Sequence, residues 1–114
     1  MEESILISIK KMLGISESYT AFDLDVIIHI NAVFMILNQL GVGPAEGFAI
    51  EDESAAWGEF IEEKDMAKFN SVKTLMYLKV KLLFDPPTSS ATIESFNRLI
   101  SELEFRLNVA AEST

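Results

Sequence analysis

The chain has 114 residues, with 18 acidic side chains against nine basic ones, a formal charge of −9 and a mean hydropathy of +0.25. So acidic a chain is unsuited to broad, tight phosphate binding, which needs a Lys/Arg footprint. The lack of cysteine removes disulfides, thiolate zinc sites and cysteine nucleophiles.

Residues 2–13 are predicted as a first helix, because Ile5, Ile9, Met12 and Leu13 recur at helical spacing and Gly14 is a natural stop. Glu2 and Glu3 stand where a signal peptide would carry positive charge, so no such leader is expected and synthesis in the cytoplasm is. Ser16 to Thr20 is a polar link, with Thr20 a cap and Asp23 in a capping-box-like position. The second helix, Phe22 to Leu40, steps by four and three through Val26, Ile30, Val33 and Leu37. Ile27, Ile28, Phe34, Met35 and Ile36 fill its other faces. A helix apolar nearly all round is expected to be central and buried. Asp25, His29, Asn31, Asn38 and Gln39 interrupt it too often for a membrane span.

Residues 41–54 are loop, punctuated by Gly41, Gly43, Pro44 and Gly47. From Glu46 to Asp65 lie eight of the 18 acids against the single Lys64. Within this acidic stretch Ser54 can cap a short helix that puts Trp57, Phe60 and Ile61 on one face. Those aromatics have two uses, an interface with a partner or a cover for the domain's own core. The third long helix is predicted from Met66 to Phe84. Its stripe is Phe69, Val72, Met76, Val80 and Leu83, and its charges are Lys68, Lys73, Lys79 and Lys81 alone. An acidic segment beside a basic helix suits either head-to-tail packing of identical subunits or an internal pairing of the two. Pro86-Pro87 then stops the helix. The fourth runs from Ser89 to Val109, with a seam of Ile93, Phe96, Ile100, Leu103 and Leu107 and with Glu94, Arg98, Glu102 and Arg106 four apart on another face. Residues 109–114 are expected to fray.

The reading is therefore all-α: a small bundle of four to five helices in one domain, 1–114, with a mobile acidic loop segment between the second and third long helices. Its apolar surplus favours burial against other subunits over a compact monomer.

Candidate chemistry is sparse. His29 is the only histidine, and Asp25 one turn before it could orient it, but a nucleophile is missing. Glu51, Asp52, Glu53, Glu62 and Glu63 lack the register of a calcium loop. Gly41-Val42-Gly43 follows a helix and has no lysine after it, unlike a phosphate loop. No catalytic, cofactor-binding or metal residue is assigned, and a non-enzymatic protein is expected.

Five stretches carry a family likeness. They are Ile9-Lys10-Lys11-Met12-Leu13-Gly14-Ile15, then Phe22 through Asn31, then Leu40-Gly41-Val42-Gly43-Pro44, then Tyr77 through Pro87 with its Leu-Phe-Asp-Pro-Pro element, and finally Leu103-Glu104-Phe105-Arg106-Leu107-Asn108. In this order and spacing the chain resembles the small all-helical head–tail connector, or adaptor, proteins of long-tailed bacteriophages and prophages. The resemblance implies a structural virion protein assembled in the bacterial host cytoplasm and sited at the head–tail junction. There it would form a homo-oligomeric ring of about twelve subunits below the portal protein. It further implies an extended channel for double-stranded DNA, read without sequence specificity, and a dock for a tail-side connector or stopper protein, with no cofactor and no membrane. Within that picture the candidate interface residues are Trp57, Phe60, Glu62, Glu63, Lys73, Lys79, Lys81, Phe84, Pro86, Pro87 and Arg106. The acidic segment would face a neighbour or the channel, the lysine helix a neighbour's acids, and the last helix from about Leu103 the portal. The alternative is a monomeric or dimeric helical module that binds or regulates another protein.

Overall fold

In a computed structural model, which describes residues 2–112, the chain folds into four α-helices: α1 (Ile5–Met12), α2 (Asp23–Gln39), α3 (Met66–Phe84) and α4 (Ser90–Glu112). Two single 3₁₀ turns, Trp57–Glu59 and Glu63–Asp65, lie in the acidic segment. The molecule is a slab of 39 × 35 × 20 Å, about two helix diameters thick.

α1 starts at Ser4, whose Oγ accepts from Ile7 N–H, and ends where Gly14 takes φ +81° and Ile15 N–H reaches back to Lys10 O at 2.8 Å. α2 starts without a side-chain cap. Thr20 contributes its backbone carbonyl, to Asp23 N–H, and not the expected hydroxyl. α3 keeps its expected bounds. After Pro86-Pro87, Ser89 Oγ accepts from Thr92 N–H at the start of α4. The helix continues past the expected end at Val109 to Glu112, and 113–114 lie outside the described residues.

The central helix is α3, not α2. α3 packs on α1, α2 and α4, and so buries Leu75 and Leu78 as well as Val72, Met76 and Val80. α2 buries one face only, through Val26, Ile30, Val33, Phe34 and Leu37. The α4 seam meets the core through Ile100 and Leu107, with Phe96 and Leu103 half-buried beside them. Leu83, expected in the α3 stripe, is 55% exposed.

Polar side chains in apolar helices fasten the connections. Lys10 is 2% exposed. Its Nζ donates to Glu17 O (3.2 Å) and Tyr19 O (2.7 Å) and lies 2.8 Å from Asp23 Oδ1. The last approach is off the line of a hydrogen bond, so it acts mainly through charge. Asn31 grips Ile50 by both backbone groups, donating to its carbonyl (3.0 Å) and accepting from its N–H (2.8 Å). Asn38 holds Pro44 O, and Asn108 of α4 holds Leu40 O at the end of α2.

The acidic segment is pinned rather than loose. Its start is held by Asn31, and its middle forms a short bridge to the N-terminus, with Ile5 N–H on Ala55 O (3.0 Å) and Trp57 N–H on Glu3 O (3.1 Å). Ser54 caps nothing: its N–H and Oγ both donate to Asp52. The turn begins after Ala56, whose N–H is held by Glu59 Oε2 at 2.7 Å.

Candidate assembly surfaces

Trp57 and Phe60, two of the expected interface residues, lie inside the subunit. Trp57 is 0% exposed and donates from Nε1 to Ser8 Oγ at 2.8 Å. Its ring meets Phe34 and Phe69 edge-on, and Phe34 also stacks against Phe48 and Phe60. Of the two uses open to these aromatics, the structure takes the core. The reason is the bridge at Ser4 and Ala56, which swings the segment's apolar side inward and leaves Glu51, Asp52, Glu53, Glu62 and Glu63 outward. The packing is close: a Cβ on Gly43 would come within 2.3 Å of the Phe60 ring, and Gly43 has φ +88°.

The lysines of α3 are also used at home. Lys73 meets Glu3 (3.2 Å) and lies over the Phe69 ring, Lys79 meets Glu104 of α4 (3.1 Å), and Lys81 meets Asp85 (2.8 Å). Arg106 is joined to Glu102 along its own helix at 2.6 Å. Of the two readings open to these lysines, the subunit shows pairing with carboxylates of its own chain. Glu3 and Glu104 come from chain segments distant in sequence, and Asp85 from the residue that follows α3. Few of those partners lie in the acidic segment, so Glu46, Glu51, Asp52 and Glu53 keep their charge without a cation among the described residues. Two hydrogen bonds from Ser54 hold the Asp52 carboxyl below its ordinary value, the hydroxyl having the larger effect.

The exposed apolar surface lies elsewhere. Leu24 (70%), Ile28 (56%) and Met35 (65%) stand on the outer face of α2. On a helix of 3.6 residues per turn they fall within about 40° of one another and directly opposite the buried face. Sequence reasoning named Ile28 and Met35 as filling other faces but assigned them no surface role, and it did not single out Leu24. The signal was present in the spacing 24, 28, 35, a second helical stripe in one helix.

A groove of about 550 Å³ opens beside the start of α2, lined by Leu13, Ile15, Phe22, His29 and Phe84. Phe22 packs edge-on against Phe84 and tilts against Tyr19, while His29 meets Phe84 at 6.4 Å. Phe84 thus belongs to the groove. Pro86 is exposed and Pro87 half-buried, and neither lines the groove. Asp25 and Asp85 complete its wall. Among the described residues no three His, Asp or Glu side chains gather as a metal-holding group.

A family model for a phage connector protein matches residues 5–114. The chain belongs to the phage connector protein family. No curated protein and no solved structure matches the chain. A connector is a structural part of the virion and interacts with other virion components, which directs attention to the surfaces of the subunit. No helix among the described residues is long and apolar enough to cross a membrane.

Proposed function

We propose that this connector protein assembles, about a dozen copies together, into a closed ring below the portal, extends the DNA channel and docks the next connector, stopper or tail component. The observation that carries the reading is the outer stripe of α2. Leu24, Ile28 and Met35 are displayed to solvent by a helix whose opposite face already completes the core. A folded subunit has no internal use for them, and large apolar patches of this kind mark contacts with other proteins.

The channel role is supported by charge. Because the α3 lysines are neutralised within the subunit, the surplus acids stay outside, and double-stranded DNA slides past an acidic wall without adhering. The protein would act without catalysis, by shape and contact alone.

The test is co-expression with the portal protein of the same phage, followed by affinity capture of the portal and electron microscopy. A ring of connector density on the tail-side face of the portal is expected. A portal recovered without this chain, from cells in which both are folded and abundant, would overturn the reading.

A further inference from the structure

Resting on the connector reading, we infer that the groove beside α2 is the socket for α4 of a second copy, with Phe105 as the inserted side chain. Phe105 is 69% exposed, the most exposed aromatic side chain among the described residues. It lies on the side of α4 away from the Ile100 and Leu107 seam. An aromatic ring held in water on a rigid helix is the feature an aromatic-lined groove accepts, since edge-on ring packing against Phe22 and Phe84 buries it at low conformational cost.

Position excludes an internal contact. The groove opens where α2 begins and α3 ends. Phe105 stands one turn before Asn108, which is bonded to Leu40 at the far end of α2. The two features are therefore separated by roughly 25 Å, the length of α2. They can meet only between two molecules, and each molecule then keeps one unused groove and one unused Phe105. Such a heterologous contact builds a ring when the rotation per copy closes and a filament when it does not.

Charge selects the same occupant. Asp25 on the groove wall meets no cation among the described residues. Arg98 lies on the Phe105 side of α4, two turns earlier, and its only recorded bond is to Ser95 Oγ at 3.4 Å. In a chain with twice as many acids as bases, an arginine left without a carboxylate beside an exposed aromatic is matched to an acidic, aromatic socket.

The experiment uses two full-length variants, Phe105→Glu and Phe22→Glu, each checked for native circular dichroism, with mass followed by light scattering up to millimolar concentration. The wild type is expected to self-associate, and each variant alone to do so more than about tenfold more weakly. Mixed together they should give a one-to-one dimer that grows no further, because the Phe22→Glu chain supplies an intact Phe105 and the Phe105→Glu chain an intact groove. Phe105→Leu should retain most of the association. Self-association of a folded Phe105→Glu chain at wild-type strength overturns the contact and leaves the connector reading standing. So does a mixture that stays monomeric, or a wild type that stays monomeric throughout. Failure of the wild type to bind portal is a separate result and sinks the connector reading instead.

Discussion

Two apolar sets in this molecule lie on opposite sides of the solvent boundary, against what their neighbours in sequence suggest. Trp57, Phe60 and Ile61 sit among acids and are buried, whereas Leu24, Ile28 and Met35 sit in the most apolar helix and are exposed. The difference is one of attachment. The acidic segment is bonded to the N-terminus at Ser4 and to α2 through Asn31, which turns its aromatics onto Phe34. The outer face of α2 has no element to cover it, because α3 has taken the central position. Composition sets how much apolar surface a chain carries, and contacts decide which part of it the fold uses.

The sharpest way to break the comparison is to remove Trp57. Trp57→Ala is expected to cost about 3–5 kcal/mol in urea unfolding, a large share of the stability of a domain this size. Trp57→Phe, which loses mainly the bond to Ser8, should cost about 1 kcal/mol. A cost near zero for Trp57→Ala would mean that the indole is not in the core. Lys10→Ala comes next. It strands two half-buried carbonyls and removes the partner of Asp23, whose Oδ1 is buried although the side chain as a whole is 28% exposed. A loss of about 2 kcal/mol is expected, with a smaller one for Lys10→Met, which keeps the buried stem. Gly43→Ala drives a Cβ toward the Phe60 ring at a left-handed backbone angle and should cost about 1–3 kcal/mol, read as a fall in the denaturation midpoint.

The same reasoning gives the opposite result on α2. Replacing Leu24, Ile28 and Met35 by serine should change monomer stability by no more than about 0.5 kcal/mol at each position. Assembly should nonetheless suffer. The smallest effect is that of Asp52. A carboxyl held below its ordinary value of 3.8 in the folded chain stabilises above that value, and the contribution disappears as pH falls through the lowered one. Asp52→Asn should therefore differ from the wild type near neutral pH and converge with it in acid, in unfolding curves measured from pH about 6 to about 2.

Much of the fold was legible because its punctuation is chemical. Gly14, Pro86-Pro87 and the helical spacing of Val72, Met76 and Val80 fix where helices stop and which side turns inward. The partners of charged residues were not legible. Lys73, Lys79 and Lys81 read as pairing with either a neighbour's acids or the chain's own acidic segment, yet each finds a carboxylate outside that segment, at Glu3, Glu104 or Asp85. Two of those acids are distant in sequence, so only the folded topology brings them close. The candidate surfaces were half legible. The excess of apolar side chains was visible, and the stripe at 24, 28 and 35 has a helical period. The sequence does not say which of two apolar faces on one helix receives α3.

The account's central claim is that the subunit completes its own core and keeps the outer face of α2 for other subunits. The measurement that tests it most directly compares the wild type with the Leu24, Ile28 and Met35 triple serine variant. Mass by light scattering and stability by urea unfolding are taken on the same samples, each alone and each with portal. The account predicts matching unfolding curves together with loss of the multi-copy species from the variant. A variant that assembles as the wild type does, or one that unfolds several kcal/mol more easily, would contradict it.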